Sequence, residues 1–385
     1  MTDTASRSVL ISGASVAGPT LAYWLRRHGF APTVVERAPE PRPGGQAIDV
    51  RGAAVEVARR MGVVDEIRAA RTGQRGMTFV DENGAELMSS TDVTLTGGPT
   101  DGPDIEILKD DLTAILLGAT DGIEYVYGDS IASLTQLFDG VAVTFERGEP
   151  RTFDLVIGAD GLHSAVRRLA FGPEADHLRH LNAYLAVFSA PNFLDLDHWQ
   201  VFHQTPGKMA GLYSARQNTE ARVNIGFESP PIDYDYRDVE QQKKLIADAF
   251  DGDGWEIPRL LEEMWRSSDF YFDAMAQVHM DDWSTGRVAL VGDAGYCASP
   301  LSGQGTSLAM VGAYVLAGEL KAAGDDHAAA FAAYRREMRE FVEANQHLAL
   351  VNAERTRELA TGDGAEHIEE HWVATAANAI TLKNY

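Results

Sequence analysis

The sequence predicts an α/β fold: a Rossmann-type dinucleotide-binding domain, a second domain with a mostly antiparallel sheet, and a long C-terminal helix. Three apolar runs predict the first domain, because each ends in a glycine turn: Ser8–Ser12, Phe153–Ile157 and Val288–Val291. Extended segments between positions 183 and 227, bounded by turn residues, predict the antiparallel strands. The amphipathic run Ala328–Arg357 predicts the long helix.

The first glycine turn has the spacing of a dinucleotide-binding βαβ unit. Gly13 permits the tight turn after the strand, and Gly18 lets the following helix, Pro19–His28, pack closely on that strand. Ser15 occupies the middle glycine position of the GxGxxG pattern, where a small side chain still lets a pyrophosphate approach the backbone. Ala17 belongs to the same candidate turn.

An acidic residue follows the second strand of this unit. The strand, Thr33–Val35, ends at Glu36, where an acid would meet the ribose hydroxyls of an adenosine. Arg37 comes next, either as part of the same site or as a solvated charge. Glycine turns between strands and helices are common, so this unit alone only indicates a nucleotide site.

The stretch Gly286–Glu319 carries the most specific pattern in the chain. Its strand ends at Gly292-Asp293, a loop follows, and Gly303-Gln304-Gly305 leads into an apolar helix near Thr306–Leu320. The acid can accept hydrogen bonds from a sugar hydroxyl, and the N–H groups at a helix start can face developing negative charge. The combination suits a ligand that has sugar hydroxyls and a polar ring.

Composition excludes several classes of function. A chain of 385 residues with 45% hydrophobic content is large enough for two domains. Its net charge of -24 argues against nucleic acid and anionic membrane partners, and it has no 18-residue apolar stretch. The single cysteine, Cys297, and an N-terminal apolar run too short for a signal peptide favour a reducing, cytoplasmic location. The 11 histidines show no ligand-like grouping, so no metal is expected.

Two long motifs carry a family resemblance. The string GRVALVGDAGYCASPLSGQGTSLAMVGAYVLAGEL, from Gly286, resembles the GD motif of FAD-dependent aromatic hydroxylases, the single-component flavin monooxygenases typified by para-hydroxybenzoate hydroxylase. The string DLVIGADGLHSAVR, from Asp154, resembles the DG motif of the same family. With the first glycine turn, these motifs stand in the family's order, so the resemblance covers essentially the whole chain. In size the chain is similar to the tetracycline-inactivating flavin monooxygenases, in which a C-terminal helix bridges the two domains.

The resemblance implies non-covalently bound FAD, with NADPH or NADH as a transient co-substrate. It implies three catalytic positions: Pro300 as a wall of the flavin ring, and Gly303 and Gln304 at the helix start that would stabilise the anionic reduced ring. The implied cofactor-binding residues are Gly13, Ser15, Ala17, Gly18, Glu36, Arg37, Asp49, Arg51, Lys109, Asp160, Gly292, Asp293, Pro300, Gly303, Gly305 and Thr306.

Some of these assignments depart from the family pattern or leave an alternative open. Lys109 stands where the family has an arginine that reaches the FAD phosphates and ribityl chain, and lysine keeps the charge but loses the bidentate fork. Asp49 and Arg51 lie in a segment that passes near the flavin in the family, but each could equally form a surface ion pair. Asp160 and Arg167 of the DG motif are expected to shape the cofactor site.

The domain prediction follows the positions of the motifs. The FAD-binding domain is assigned residues 1–72, 105–174 and 284–325, the substrate domain 73–104 and 175–283, and the bridging helix and tail 326–385. Strand alternation suggests Phe188, Met209 and Tyr213 as walls of a substrate pocket, with Arg222 or Asn224 as its polar anchor. The alternative is that the aromatic side chains face helices as ordinary core.

These expectations together predict an FAD-dependent monooxygenase that uses NAD(P)H and O2. It would hydroxylate an aromatic or polycyclic, antibiotic-like small molecule through a flavin C4a-hydroperoxide. Two alternatives stay open: a flavin oxidoreductase of the same fold without oxygen insertion, and a non-catalytic FAD-binding protein. We expect a monomer or weak homodimer, and we expect His163, His203 and His279 to be surface or satisfied residues rather than catalysts.

Overall fold

The computed structural model of the chain describes residues 6–92, 102–361 and 370–385. The strands are β1 (Ser8–Ser12), β2 (Ala31–Glu36), β3 (Ala47–Val50), β4 (Met77–Val80), β5 (Glu86–Ser90), β6 (Ile105–Leu108), β7 (Glu124–Tyr127), β8 (Ile131–Gln136), β9 (Val141–Phe145), β10 (Arg151–Phe153), β11 (Leu155–Gly158), β12 (Leu178–Ala190), β13 (Gln200–Thr205), β14 (Lys208–Ala215), β15 (Glu220–Glu228), β16 (Tyr271–Val278), β17 (Ser284–Thr285) and β18 (Val288–Leu290).

The helices are α1 (Ala17–Arg27), α2 (Ala53–Met61), α3 (Val64–Ala69), α4 (Lys109–Gly118), α5 (Ala165–Phe171), α6 (Val239–Ala249), α7 (Ile257–Arg266), α8 (Asp293–Tyr296), α9 (Gly305–Ala323), α10 (His327–Thr361) and α11 (Glu370–Ala377). Two 3-10 turns cover Glu174–Asp176 and Pro300–Ser302.

The nucleotide-binding half is built on a six-stranded sheet in the order β17-β18-β11-β1-β2-β7. The pairs β18–β11, β11–β1, β1–β2 and β2–β7 are parallel, and only the short β17 runs antiparallel. Strands β11 and β18 are buried along their whole length, as expected for parallel strands covered on both faces. The carboxyl ends of β1, β11 and β18 therefore meet at one edge of the sheet.

Three short extended segments in a row, of which Glu124–Tyr127 is the first, predict an antiparallel excursion from the sequence alone. For β7 this prediction is wrong. The strand instead extends the main sheet, pairing in parallel with β2, while β8 and β9 form a separate antiparallel sheet with β10. A four-residue strand carries no periodicity that distinguishes these two pairings.

A seven-stranded sheet in the order β16-β12-β15-β14-β13-β4-β5 forms the second half. Helices α6 and α7 cover one face of this sheet, where residues such as Ile246, Leu260 and Met264 join its apolar core. Strands β4 and β5, joined through the Asn83-Gly84 turn typical of a hairpin, pair antiparallel at its edge. The sequence did not indicate β16, which forms the opposite edge. The expected α/β class with a mostly antiparallel second sheet is confirmed; within that sheet β13 and β4 pair in parallel.

The long helix predicted near the C-terminus is also confirmed, as the 35-residue α10. Phe331, Tyr334, Met338 and Phe341 recur at helical spacing on its buried face. The segment after α11 returns to α9, where Lys383 and Tyr385 each donate a 2.8 Å hydrogen bond to Glu319. None of the helices in the described part of the chain is long and apolar enough to cross a membrane.

Candidate active site

Two glycines near the ends of the parallel strands, Gly13 and Gly18, stand where a side chain would clash with the backbone, and a third, Gly292, lies in close contact with two helices. A Cβ on Gly13, whose φ is +108°, would lie 2.4 Å from the carbonyl oxygen of Ala159. A Cβ on Gly18 would lie 1.9 Å from the carbonyl oxygen of Gly13. At the end of β18, a Cβ on Gly292 would contact Ala17 and Ala309, at 3.4 and 3.6 Å. The strand ends therefore converge on the first turns of α1 and α9.

The N-termini of these two helices are not capped by side chains. The N-cap residues Val16 and Gln304 make no side-chain capping hydrogen bond. Gly303 precedes α9 in the left-handed conformation, with φ of +63°. Uncapped N–H groups and the positive end of a helix dipole form a site for an anionic or electron-rich group.

Gln304 provides a second sign of a ligand. Its side chain is fully buried, and neither atom of its amide has a hydrogen-bond partner among the described residues. A buried polar group without a partner costs free energy, so such groups normally face a ligand or water. The three predicted catalytic residues lie together in this loop: Pro300 begins its 3-10 turn, and Gly303 and Gln304 follow.

The region expected to be a plain loop, 294–302, contains the short helix α8 and a 3-10 turn. Residues 292–303 are called the GD loop below. Two side-chain amides of α10 form hydrogen bonds to this loop. Asn352 donates to the carbonyl oxygen of Leu301 at 2.8 Å, and Gln346 donates to the carbonyl oxygen of Cys297 at 3.4 Å. No local sequence pattern indicates these contacts, because they join residues about fifty positions apart.

Three predicted cofactor residues form one electrostatic group. Asp293 begins α8, and burial raises its pKa while the charge of Lys109 opposes that rise. Burial lowers the pKa of Lys109, and the negative charges of Asp293 and Glu36 oppose that decrease. The cation therefore stands within electrostatic range of both acids, one from each end of the expected cofactor site.

Glu36 also organises the first glycine turn. Its two carboxylate oxygens accept hydrogen bonds from the backbone N–H groups of Ala14 and Ala38, both at 2.9 Å. Ser15 lies half-buried in the turn beside it, while Arg37 is exposed. The structure thus brings Glu36 and Ser15 together at the N-terminus of α1.

Asp49 and Arg51 form an ion pair, but not on the surface. Their side chains are 3.0 Å apart and almost completely buried, and the backbone N–H of Arg51 donates to Ser307 in the first turn of α9. Asp49 also pairs across the strands with Glu106, whose pKa is raised to about 7 by burial and by Asp49. The surface alternative is therefore wrong, and the pair lies beside the start of α9.

The DG motif braces the strand ends. Asp160 accepts hydrogen bonds from the Ser164 hydroxyl and from the backbone N–H of Val166, and Ser12 donates at 3.3 Å. Arg167 is fully buried and donates to the carbonyl oxygen of Ala294 at 2.9 Å. The motif therefore links the end of β1 with the GD loop.

One face of the antiparallel sheet turns toward this site. The hydroxyl of Tyr213 accepts a 2.6 Å hydrogen bond from the N–H of Ala47, and Arg222 donates to the carbonyl of Gly45 at 3.1 Å. The strand register places Met209 and Asn224 on the same face, because Tyr213 pairs with Arg222 and Met209 with Gly226. These four predicted substrate residues therefore share a face with the contacts to β3 and the loop before it.

Phe188 does not share that face, and its assignment as a pocket wall is wrong. It is 1% exposed and belongs to the core that includes Ile246 and Met264 of the covering helices. Its register partner on β15 is Val223, whereas Asn224 pairs with Val187. For Phe188 the alternative given by the sequence, ordinary core against helices, is correct.

A histidine that the sequence treated as ordinary lies in an ionic network here. His163 lies between Glu174 and Asp273, with its two ring nitrogens 3.0 and 3.1 Å from their carboxylate oxygens. No local signal could have found this, because Asp273 is 110 positions away on a strand that the sequence did not predict.

This fold, with two glycine turns and two uncapped helix starts around the partly buried Asp293, is typical of the dinucleotide-binding class of proteins. A family model described as an FAD binding domain matches residues 6–349. The chain is 42% identical over 384 residues to a flavin-dependent monooxygenase of Legionella longbeachae, covering 98% of each protein. The chain belongs to this family of FAD-binding, flavin-dependent monooxygenases.

Two further similarities extend over nearly the whole chain. An uncharacterized protein of Mycobacterium tuberculosis is 52% identical over 380 residues, covering 98% of this chain and 100% of that protein. The crystal structure of the tetracycline destructase Tet(51) matches with a TM-score of 0.89 at 39% identity, covering 99% of this chain and 100% of that one. The fold and the long C-terminal helix are therefore those of an established flavoenzyme architecture.

Proposed function

We propose that the protein is a monooxygenase that uses NADH or NADPH and O2 to oxygenate a polycyclic, phenol-bearing small molecule of the tetracycline type. Similarity to the tetracycline destructase Tet(51) over the full chain supports the substrate class. The single observation that carries the catalytic site is Gln304, a fully buried amide without a partner among the described residues, at the uncapped start of α9.

The residues present fit FAD. The first turn of α1, with Gly13, Ser15, Ala17 and Gly18, would hold the pyrophosphate, since its helix start has no side-chain cap. Glu36 and Arg37 would take the adenosine end, and Asp293 would accept a hydrogen bond from the ribityl chain. Lys109 would place its charge between them.

The GD loop would then face the ring system of the cofactor. When bound and reduced by the nicotinamide, FAD supplies the activation of O2. The backbone N–H groups of Gly305 and Thr306 would stabilise negative charge on the reduced ring, and Pro300 would shield one face from water. The buried Asp49–Arg51 pair would fix the position of the α9 N-terminus through Ser307.

The sheet face opposite the GD loop would hold the substrate. Met209 would provide an apolar contact, and the Oδ1 atom of Asn224 is buried without a hydrogen-bond partner among the residues that the structure describes. A polar acceptor of this kind suits a phenol or enol hydroxyl of the substrate. Tyr213 and Arg222 already bond to the Gly45–Ala47 segment, so we assign them to shaping the pocket.

The proposal is tested by isotope labelling of the FAD-loaded protein. Tetracycline and a panel of phenolic and polycyclic compounds are each incubated with NADPH or NADH under 18O2, and the products are weighed by mass spectrometry. We expect substrate-stimulated oxidation of the nicotinamide and one 18O atom in the product.

Two outcomes would contradict this function. Stimulated nicotinamide oxidation with an altered product that never contains 18O would indicate a flavin oxidoreductase without oxygen insertion. FAD binding without stimulated turnover by any compound of the panel would indicate a non-catalytic flavoprotein.

A further inference from the structure

The imidazole of His163 is held between carboxylates from two parts of the fold. His163 lies in the loop after β11, Glu174 lies in the 3-10 turn that follows α5, and Asp273 lies on β16. Nδ1 of His163 is 3.0 Å from Glu174, and Nε2 is 3.1 Å from Asp273. Both ring nitrogens thus face acceptors, which is the arrangement that a doubly protonated imidazolium requires.

The groups around this histidine favour its positive charge. Burial alone would lower the pKa of His163, but hydrogen bonds to Asp273 and Glu174 raise it to about 10. Arg167 also forms an ion pair with Glu174, at 3.0 Å. The hydroxyl of Tyr271 donates a hydrogen bond to Asp273 at 3.0 Å, and the ring of Tyr236 stacks on the imidazole. Four further titratable groups lie within electrostatic range of Asp273: Tyr184, Tyr234, Asp293 and Cys297.

Strand β16 connects this network to the GD loop. The backbone N–H of Val278 donates to the carbonyl of Cys297 at 3.0 Å, and the Cys297 thiol points to the carbonyl of Ala276 at 3.6 Å. From the other side, Arg167 holds both Glu174 and the carbonyl of Ala294. Direct contacts therefore link the DG motif to the GD loop, the GD loop to β16 at the edge of the antiparallel sheet, and β16 back to the DG motif.

We propose that His163 is a positioning residue that fixes β16, and with it the substrate-facing sheet, against the GD loop. The bridge holds the two halves of the active site at a constant separation, because its two carboxylates come from opposite halves. The consequence for turnover rests on the proposed function, whereas the bridge itself is tested without turnover.

The first experiment measures thermal unfolding of FAD-saturated protein from pH 5.5 to 10.5. A histidine whose folded pKa is raised contributes stability that is complete below its unfolded value of about 6.5 and is lost as pH rises toward the folded value. The midpoint of His163→Gln should therefore lie furthest below wild type at low pH, and the two curves should converge near pH 10.

His279→Gln is the matched control. His279 lies just after the same strand, Nε2 of its ring is 2.9 Å from the neutral side chain of Gln277, and burial and Arg179 lower its pKa. Its difference from wild type should not shrink as pH rises. A His163→Gln difference that stays constant with pH would overturn the bridge.

A second variant covers the case in which His163→Gln does not fold. Asp273→Asn removes one carboxylate, and it should show the same convergence with wild type at high pH. In the double variant the losses should not add, because each change breaks the same contact. Additive losses would overturn the proposal.

Steady-state kinetics distinguish a positioning role of His163 from a purely stabilising one, because a stabilising residue would not change KM or the yield of peroxide. With a substrate accepted by wild type, His163→Gln should raise KM several-fold and divert more reductant to hydrogen peroxide, with the dissociation constant of FAD unchanged. An unchanged KM and unchanged peroxide yield would overturn the positioning role. If wild type turns over nothing, the proposed function fails, but the unfolding curves still decide the bridge.

Discussion

A comparison of two glycines distinguishes the cost of a left-handed backbone from the cost of a steric clash. Gly13 and Gly29 both have positive φ, +108° and +87°. Of the two, an added Cβ would collide only at Gly13, because no neighbouring atom lies within 4 Å of a Cβ added to Gly29. We expect Gly29→Ala to cost about 1–2 kcal/mol of unfolding free energy, the cost of a left-handed residue. Gly13→Ala should cost clearly more and should abolish FAD retention.

Denaturant titration and the ratio of flavin to protein absorbance after purification measure both effects. Equal destabilisation of the two variants, with FAD retained in both, would contradict the close approach of the Gly13 turn to Ala159.

Lys109 tests whether a lysine replaces the family's arginine. It lies within electrostatic range of Glu36 and Asp293, so its ammonium would be available for the FAD phosphates or ribityl chain. We expect Lys109→Ala to weaken FAD binding by roughly 1.5–3 kcal/mol, the usual range for a hydrogen bond to a charged group. Lys109→Arg should bind FAD nearly as well as wild type.

Flavin fluorescence quenching on titration of the apoprotein gives both dissociation constants. Arg216→Ala is a suitable control, because this half-exposed arginine pairs with Asp110 and Asp111 on the neighbouring helix turn. An unchanged constant for Lys109→Ala would return Lys109 to the class of surface charges.

At the scale of elements, the two faces of the antiparallel sheet predict opposite mutant phenotypes. Phe188→Ala should cost about 3–5 kcal/mol, because Phe188 packs in the core beneath α6 and α7. Met209 lies on the opposite face, which contacts Gly45 and Ala47. Met209→Ala should therefore leave the melting temperature nearly intact and abolish substrate-stimulated NADPH oxidation.

Melting temperature and NADPH oxidation are measured on the same preparations, with Phe188→Leu as an apolar control that removes less volume than alanine does. If Met209→Ala lost stability and activity in parallel, Met209 would belong to the core and the pocket would lie elsewhere.

This pair also shows what the sequence could and could not predict. Alternation correctly placed Met209 with Tyr213 on one face of β14, and Arg222 with Asn224 on one face of β15, because a strand has a strict period of two. It could not identify which face met the cofactor, because both faces of β12 are apolar: Val187 and Phe188 are each 1% exposed. The choice depends on where α6 and α7 pack, which is a tertiary property.

The site was predictable where its chemistry is encoded locally. The turns at Gly13 and at Gly292-Asp293 were found because their conformations require particular residues at fixed spacing. The bridge through His163 was not, since its partners come from a distant turn and from β16. The Tyr271–Val278 strand has an acid in its middle, which weakens the apolar signal of a strand.

For the whole molecule, FAD should act as a stabilising ligand that joins both halves. At a concentration about 100-fold above its dissociation constant, a ligand that binds only the folded state adds about 2.7 kcal/mol. Scanning fluorimetry of the apoprotein should therefore show a melting temperature that rises with FAD concentration. Riboflavin, which lacks the pyrophosphate and adenosine, should give a much smaller rise, and no rise with FAD would contradict the assigned cofactor.

The position of β16 determines where this protein can be recombined with its relatives. The strand pairs with β12 on one side, and its far end bonds to Cys297 of the GD loop. A crossover placed between β16 and β18 would separate parts that are fitted to each other, even though it falls between the two sheets. A chimera that exchanges only β12–β15, residues 178–228, replaces the partner strand of β16 but keeps the hydrogen bond of β16 to the GD loop native. This exchange should transfer substrate preference while preserving the flavin site.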